Sequence, residues 1–313
     1  MKCLVTGGAG FIGSHIVDKL LEKGNEVRVF DNLSSGKKEF LASAQKKKGF
    51  EFVEADLLDL DKVVGAMKGV DMVFHIAANP DIRYGTTQTD VDLRQGTIAT
   101  YNVLEAMRRC GVKKIAFSSS STIYGEATAI PTPEDYGPVM PISLYGASKL
   151  AAEGLITAYA GTFEMQTWIF RFANIIGSRG THGVIIDFIN KLEKNPKELE
   201  ILGDGTQSKS YLLVEECVDG IMYTIERSKD KVNIFNLGCD DWVTVARIAE
   251  IVIGELRLKG VELKYTGGKR GWKGDVPKIM LAPAKLGKLG WKAKHGSDEA
   301  VVLATRSVIN EMK

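Results

Sequence analysis

The chain has 313 residues, of which 44% are hydrophobic and 26% charged, with a formal net charge of +2. That composition suits a globular protein with a substantial core, and the near balance of charge gives no reason to expect a nucleic-acid or membrane partner. No apolar run approaches the ~20 residues of a membrane span, and Cys3, Cys110, Cys217 and Cys239 are too scattered for a metal set or a disulfide-exchange motif. They read as thiols in a reducing compartment. Met1-Lys2 lead straight into the first strand, leaving no room for a signal peptide, so the expected location is cytoplasmic.

Lys2–Thr6 is a short apolar run suited to a buried parallel strand. Gly7, Gly10 and Gly13 follow with the spacing G-x-x-G-x-x-G. The early glycines permit a tight turn and close backbone approach to a pyrophosphate, and Gly13 permits tight helix–strand packing. A helix opening at Phe11 or Ile12 aims its free N–H groups and positive dipole end at that phosphate. Val27–Phe30 is a second strand, and Asp31 ends it eighteen residues after Gly13. An acid there accepts hydrogen bonds from the adenosine ribose and repels a 2′-phosphate, which favours NAD over NADP. A glycine triplet alone is weak; strand, triplet, helix, strand and acid in order form a dinucleotide-binding unit.

A polar stretch with a short helix near Lys38–Lys46 leads to a third strand, Phe50–Glu54, and to Asp56-Leu57 at its carboxyl end. Asp59–Met67 has helical spacing, and Asp71–Ile76 is a fourth strand running into Ala77-Ala78. Small residues there let backbone lie close to a cofactor, and Pro80 prevents an immediate helix. A long helix is predicted over Val91–Cys110, a fifth strand over Lys114–Ser118, another long helix over Tyr145–Ala160 and a sixth strand over Trp168–Phe172. Six strands alternating with helices predict an α/β fold with a doubly wound parallel sheet, the Rossmann arrangement.

Beyond Asn174 the alternation loosens, so the domains are expected as 1–175 for the dinucleotide and 176–313, smaller and mixed α/β, for a substrate. Part of 210–238 is expected to return to the first, through Tyr211–Val214 and a helix Val218–Glu226 ahead of a strand Val232–Leu237. Within the second, Val184–Leu192, Val243–Leu256 and Asp298–Glu311 have helical spacing, Leu199–Leu202 and Val261–Tyr265 read as strands, and Gly267–Gly274 as a glycine-rich loop.

Two features carry chemistry. Tyr145 and Lys149 form Y-x-x-x-K on one helix face, which places an ammonium beside a phenol. Ammonium and nicotinamide charge both favour the phenolate, and lowering a tyrosine from ~10 to ~7 takes about 4 kcal/mol. The fifth strand ends in Ser118-Ser119-Ser120-Ser121-Thr122, at the sheet end where open α/β proteins bind ligands. A hydroxyl there can share a proton with Tyr145 and a substrate.

Together GGAGFIG, Asp31, Asp56-Leu57, HIAANP, FSSSSTIYG, SLYGASK and FRFANIIG resemble the extended short-chain dehydrogenase/reductases, and among them the UDP-glucose (UDP-galactose) 4-epimerases of archaea and bacteria. The likeness extends to LGDGTQSKSYL and RGWKGDVP. It implies Ser120, Tyr145 and Lys149 as the catalytic set, and Asn32, Asp56, Leu57, Ala77, Ala78 and Ser118 as further NAD contacts. It assigns Asn174, Val184, Lys209, Tyr211, Arg270 and Asp275 to the nucleotide sugar; Lys209 and Arg270 suit a diphosphate. No metal is implied. The implied reaction inverts C4 of a UDP-hexose through a 4-keto intermediate with no net redox change, so NAD is resident. A homodimer through the Val91–Cys110 and Tyr145–Ala160 helices is implied as well.

The same scaffold hosts dehydratases, decarboxylases and net oxidoreductases. The first two carry an acid just before the Tyr-Gly of the serine loop, where this chain has Ser121, Thr122 and Ile123 before Tyr124-Gly125. A non-enzymatic NAD sensor would have no use for both Tyr145 and Lys149. Two departures stand out. Gly96 occupies a place where relatives carry asparagine, and Ile279 one where they carry a bulky aromatic, which predicts that N-acetylated hexosamines are also accepted.

Overall fold

The computed structural model describes residues 1–272 and 274–312. Contacts divide the chain into two compact units: one of 1–123, 144–171 and 221–235, the other of 124–143, 172–220 and 236–313.

The first unit carries a seven-stranded sheet. Its strands in chain order are β1 (Lys2–Thr6), β2 (Glu26–Asp31), β3 (Phe50–Glu54), β4 (Met72–His75), β5 (Lys114–Ser120), β6 (Gln166–Phe172) and Val232–Leu237. In space they run β3-β2-β1-β4-β5-β6 and then Val232–Leu237. The pairs β1–β2, β2–β3, β1–β4 and β4–β5 are all parallel. β1 is apolar throughout because it lies mid-sheet with both faces covered: Cys3, Leu4 and Val5 are wholly buried. Strand order reverses between β1 and β4, and ligands bind at the carboxyl ends of strands at such a switch point.

The helices of this unit include α1 (Phe11–Glu22), α2 (Leu60–Met67), α3 (Ala99–Cys110) and α4 (Leu144–Phe163), and the second half of the helix Val214–Arg227 belongs to it too, as expected for 218–226. In α1, Ile16, Val17, Leu20 and Leu21 recur at helical spacing and form its buried face. Asp59 caps α2 by accepting from the Lys62 amide at 3.2 Å. Gly111, at φ 74°, ends α3 in the left-handed conformation. Val63, Met67, Val103, Leu104, Met107, Ala152 and Ile156 pack with Leu4, Val73, Ile115 and Phe117 into one core.

The predicted Val91–Cys110 helix is not uniform. Leu93–Ile98 forms a π-helical turn before α3 begins at Ala99. A Cβ on Gly96 would lie 2.6 Å from Ser148 Oγ, so this glycine permits close approach of the turn to α4, and an asparagine would not fit without displacing it. The predicted helix near Lys38–Lys46 is two short 3₁₀ pieces, Lys38–Leu41 and Ala44–Lys46.

The second unit has its own core, in which Ile185, Phe188, Ile189 and Leu192 of the helix Val184–Lys194 pack with Leu199, Ile201, Ile248, Val252, Val301 and Ala304. Two strands expected from the sequence are present, Glu198–Ile201 pairing with Glu262–Tyr265, whereas the others are only two or three residues long: Lys278–Ile279 pairs with Ser208–Lys209, and Tyr211–Leu213 pairs with Asn174–Ile176 instead of returning to the large sheet as expected. Val243–Thr244 is a strand rather than the first turn of the helix that follows, Val245–Glu255, because Thr244 caps that helix through the Arg247 amide. The expected Gly267–Gly274 loop includes Lys273, which lies outside the described residues. Among the described residues no helix is long and apolar enough to cross a membrane.

Candidate active site

The glycine turn sits at the carboxyl end of β1, beside the end of β4. A Cβ on Gly7 would meet the Ala77 backbone at 2.7 Å, and Gly7 adopts φ 67°. A Cβ on Gly13 would fall 2.0 Å from the Gly7 carbonyl oxygen, so α1 can approach the turn only with glycine there. Gly10 is the N-cap of α1, no side chain caps that end, and no acid lies in the first turn. The amides of Phe11 and Ile12 thus open a helix whose positive end is not neutralised by the protein.

Asp31 ends β2 and is 8% exposed. Its Oδ2 accepts from the Ala9 amide at 2.9 Å and its Oδ1 from the Leu33 amide at 2.8 Å. Burial pushes its pKa up, against those two hydrogen bonds. A carboxylate has about four acceptor positions, so capacity remains for a ribose diol. Asn32 Nδ2 donates to Asp56 Oδ2 at 3.0 Å, and Leu57 is buried beside it. Ala77 and Ala78 follow β4 half-buried. The cradle, the uncapped helix end and the acid that ends β2 fit a dinucleotide.

The catalytic candidates meet between β5 and α4. Lys149 is 3% exposed, and its Nζ donates to the Ser118 carbonyl at 2.6 Å. That ammonium lies 4.8 Å over the Phe117 ring and 5.7 Å over the Tyr145 ring. Ser120 hydrogen-bonds to Tyr145, and its Oγ also accepts from Thr122 Oγ1 at 3.0 Å. The structure therefore brings Ser118, Ser120, Tyr145 and Lys149 together.

The electrostatics depart from the sequence expectation for Tyr145. Its ring is only half-buried, yet burial of its hydroxyl raises the pKa, the nearby Asp92 carboxylate raises it further, and the Ser120 hydrogen bond opposes both. Sequence reasoning counted the cations and could not count the desolvation. Lys149 is pushed down to about 7 by burial, against the stabilising charges of Glu153 and Asp92. His75, wholly buried at the end of β4, is held neutral by burial and by Lys149, with a pKa of about 3. It bridges Thr6 Oγ1 at 2.7 Å and Thr100 Oγ1 at 3.0 Å.

Asp92, Glu153, Arg171 and His75 surround this pair and escaped the sequence reading. Asp92 stands just before the π-helical turn, 1% exposed; its Oδ1 accepts from Asn79 Nδ2 at 3.1 Å, and its Oδ2 has no hydrogen-bond partner among the described residues. No spacing rule anticipates that turn. Glu153 had a signal, since it continues the 145–149 face by four more residues.

The substrate candidates lie in the second unit. Lys209 Nζ pairs with Asp275 Oδ1 at 2.6 Å, and Asp275 Oδ2 accepts from the Gly271 amide at 3.1 Å. Arg270 Nη1 donates to the Asp275 carbonyl at 2.6 Å, and its Nη2 to Glu126 Oε1 at 2.7 Å. Asn174 stands opposite Tyr211 in the strand pair and donates from Nδ2 to the Ser210 carbonyl at 3.0 Å. Burial and then Asp275 raise the pKa of Tyr211. Val184 opens its helix, half-buried against the core of this unit. So Lys209, Arg270 and Asp275 form one cluster and Asn174 and Tyr211 adjoin each other, with Val184 on a separate element.

Residues 3–238 match the profile of the NAD dependent epimerase/dehydratase family. The chain is 35% identical to the "Putative UDP-glucose 4-epimerase" of Methanocaldococcus jannaschii, over 99% of this chain and 98% of that one. It superposes on a crystal structure of a UDP-galactose 4-epimerase with TM-score 0.90 at 43% identity, covering 100% of both chains. It also superposes on the Thermotoga maritima UDP-glucose 4-epimerase with UDP-glucose, with TM-score 0.90 at 32% identity and the same full coverage. With the glycine cradle, Asp31 and the Tyr145–Lys149 pair in place, the chain belongs to the NAD dependent epimerase/dehydratase family.

Proposed function

We propose that the protein inverts C4 of a UDP-hexose, interconverting UDP-galactose and UDP-glucose through a 4-keto intermediate. The observation that carries this is the Ser120–Tyr145–Lys149 constellation beside an acid-free serine loop. Gly7, Gly10, Phe11, Ile12 and Gly13 hold the pyrophosphate, and Asp31, Asn32, Asp56 and Leu57 the adenosine. NAD⁺ bound there supplies a reversible hydride acceptor.

Tyr145 takes the proton of the sugar 4-hydroxyl, Ser120 shares it, and Tyr145 returns it at the end of the turnover. The Lys149 ammonium stabilises the phenolate formed between those events. Burial and then the Asp92 carboxylate keep Tyr145 protonated, so the phenolate depends on Lys149, Ser120 and the cofactor's positive charge. Lys209 and Arg270 bind the diphosphate, exchanging bonds to Asp275 and Glu126 for phosphate oxygens. Asn174, Tyr211 and Val184 complete the sugar-nucleotide contacts. Thr122 and Ile123 offer no acid for elimination, which favours epimerisation over dehydration. A homodimer through 91–110 and 145–160 belongs to the same proposal, supported by the exposed Leu93, Ile98 and Tyr101; a purely monomeric species in sedimentation would refute it.

Purified protein is expected to equilibrate UDP-galactose with UDP-glucose without added reductant or net NADH. Consumption of substrate in step with NADH accumulation would instead mark a net oxidoreductase.

A further inference from the structure

Tyr145, Lys149 and Glu153 occupy three successive turns of one face of α4. Each ties to one of three consecutive residues ending β5. Tyr145 bonds the Ser120 hydroxyl, Lys149 Nζ donates to the Ser118 carbonyl at 2.6 Å, and Ser119 Oγ donates to Glu153 Oε1 at 2.5 Å. Arg171 of β6 grips the same carboxylate with both arms of its guanidinium: Nε to Oε1 at 3.0 Å and Nη2 to Oε2 at 2.8 Å. The side chains of Arg171 and Glu153 are 8% and 6% exposed.

An ion pair buried this deeply is poor value for stability alone, since well-packed apolar residues of similar volume often do as well or better. Its geometry points to another use. Of the three ties between β5 and α4, only the one through Glu153 lies outside the reacting groups and is anchored from a third element. We propose that Glu153, held by Arg171, is a positioning residue for catalysis: through Ser119 it fixes the serine segment against α4, and its charge sustains the Lys149 ammonium. This rests on the Tyr145–Lys149 reading above.

Misplacing a reacting group by about 1 Å can cost on the order of 100-fold in rate, so one anchoring hydrogen bond is enough to matter. The electrostatic part has a definite sign. The charged and titratable groups around Lys149 are Glu153 and Tyr145 on α4, Asp92 before the π-helical turn and His75 on β4; Arg171 on β6 faces Glu153. His75 is neutral, and Glu153 and Asp92 both favour the ammonium. Neutralising Glu153 while Arg171 keeps its charge lowers the proton affinity of Lys149 and Tyr145 alike. The acid limb of the rate profile then moves to lower pH.

The test compares wild type, Tyr145→Phe, Glu153→Gln and Ser119→Ala as full-length protein with bound NAD, measuring kcat, KM, NAD content and kcat against pH. Ser119→Ala leaves the ion pair intact and is expected to lower kcat about tenfold, with KM and NAD content within twofold and the pH profile in place. Glu153→Gln is expected to lower kcat at least as much and to shift the acid limb down by about half a pH unit or more. Folded variants with kcat within twofold of wild type and an unmoved profile would overturn the proposal. So would losses that merely track the unfolded fraction. If Glu153→Gln does not fold, Ser119→Ala decides alone, and a kcat within twofold overturns the anchoring role. An inactive wild type would strike the epimerase reading instead, and an active Tyr145→Phe would strike the Tyr145 assignment.

Discussion

Burial makes Lys149 costly to keep charged inside the fold. Burial takes Lys149 from the ordinary value of 10.5 down to about 7. That difference corresponds to about 5 kcal/mol against holding the charge inside. The unfolded chain keeps its proton up to 10.5, so between about 7 and 10.5 it binds more protons than the folded chain, and stability rises with pH across that window. Below about 7 the full penalty applies; above 10.5 it is gone. Lys149→Met removes the penalty, in which the attraction to Glu153 and Asp92 is already counted, and with it the bond to the Ser118 carbonyl, whose loss leaves a buried acceptor unpaired at about 3 kcal/mol. The variant is therefore expected to be more stable than wild type by about 2 kcal/mol near pH ~6, raising Tm by roughly 3–6 °C. Near pH ~11 only the lost contact remains and the order reverses. Thermal melts of both proteins at matched NAD content check this, and epimerisation should be lost at either pH. A variant destabilised equally at both pH values would refute the reasoning, because the lysine would then be a net structural asset rather than a functional burden.

Tyr145→Phe should reduce kcat by at least about 100-fold, as loss of a general acid–base group does. It should leave NAD bound, which release and quantification of the nucleotide would check. Gly13→Ala places a methyl 2.0 Å from the Gly7 carbonyl, so backbone must move; overpacking of this kind costs about 1–3 kcal/mol, and NAD occupancy should fall on dilution where wild type retains it. Lys209→Ala frees Asp275, now buried without its cation, and should raise KM for a UDP-sugar by tenfold or more with kcat less affected; an unchanged KM would remove Lys209 from the diphosphate site. Ile279 lies opposite Lys209 in the Lys278–Ile279 strand pair, and its modest bulk leads to the expectation that UDP-N-acetylglucosamine is also turned over; no turnover would sink that idea.

Sequence reading succeeded where the physics is local. The period of β1 and α1, the glycine spacing and the acid at Asp31 are short-range patterns, and each corresponds to an element or contact in the first unit. The parallel sheet followed from alternation of strands and helices, which requires only crossover connections of sufficient length. The misses have a common cause. Asn174–Ile176, Ser208–Lys209 and Lys278–Ile279 are strands of two or three residues that exist because a distant segment pairs with them. The π-helical turn at Leu93–Ile98 has no periodicity to betray it, and it is accommodated by Gly96 against Ser148, a contact with no trace in local sequence.

The site itself was legible as a list of groups but not as an energy. Tyr145 and Lys149 at i and i+4 reveal proximity, and proximity alone argues for a depressed tyrosine pKa. The structure adds what those residues lose on leaving water, and for Tyr145 that loss exceeds the gain from its neighbours. The consequence is mechanistic. If the phenol is protonated at rest and the ammonium is marginal at about 7, the pair becomes a competent base only with a second positive charge close by. Bound beside Tyr145, NAD would supply that charge in its oxidised form, so Tyr145 would hold its proton less tightly when it faces the oxidised cofactor than when it faces the reduced one. Tyr145 would then take up a proton in one half of the turnover and release it in the other, as the proposed reaction without net oxidation requires.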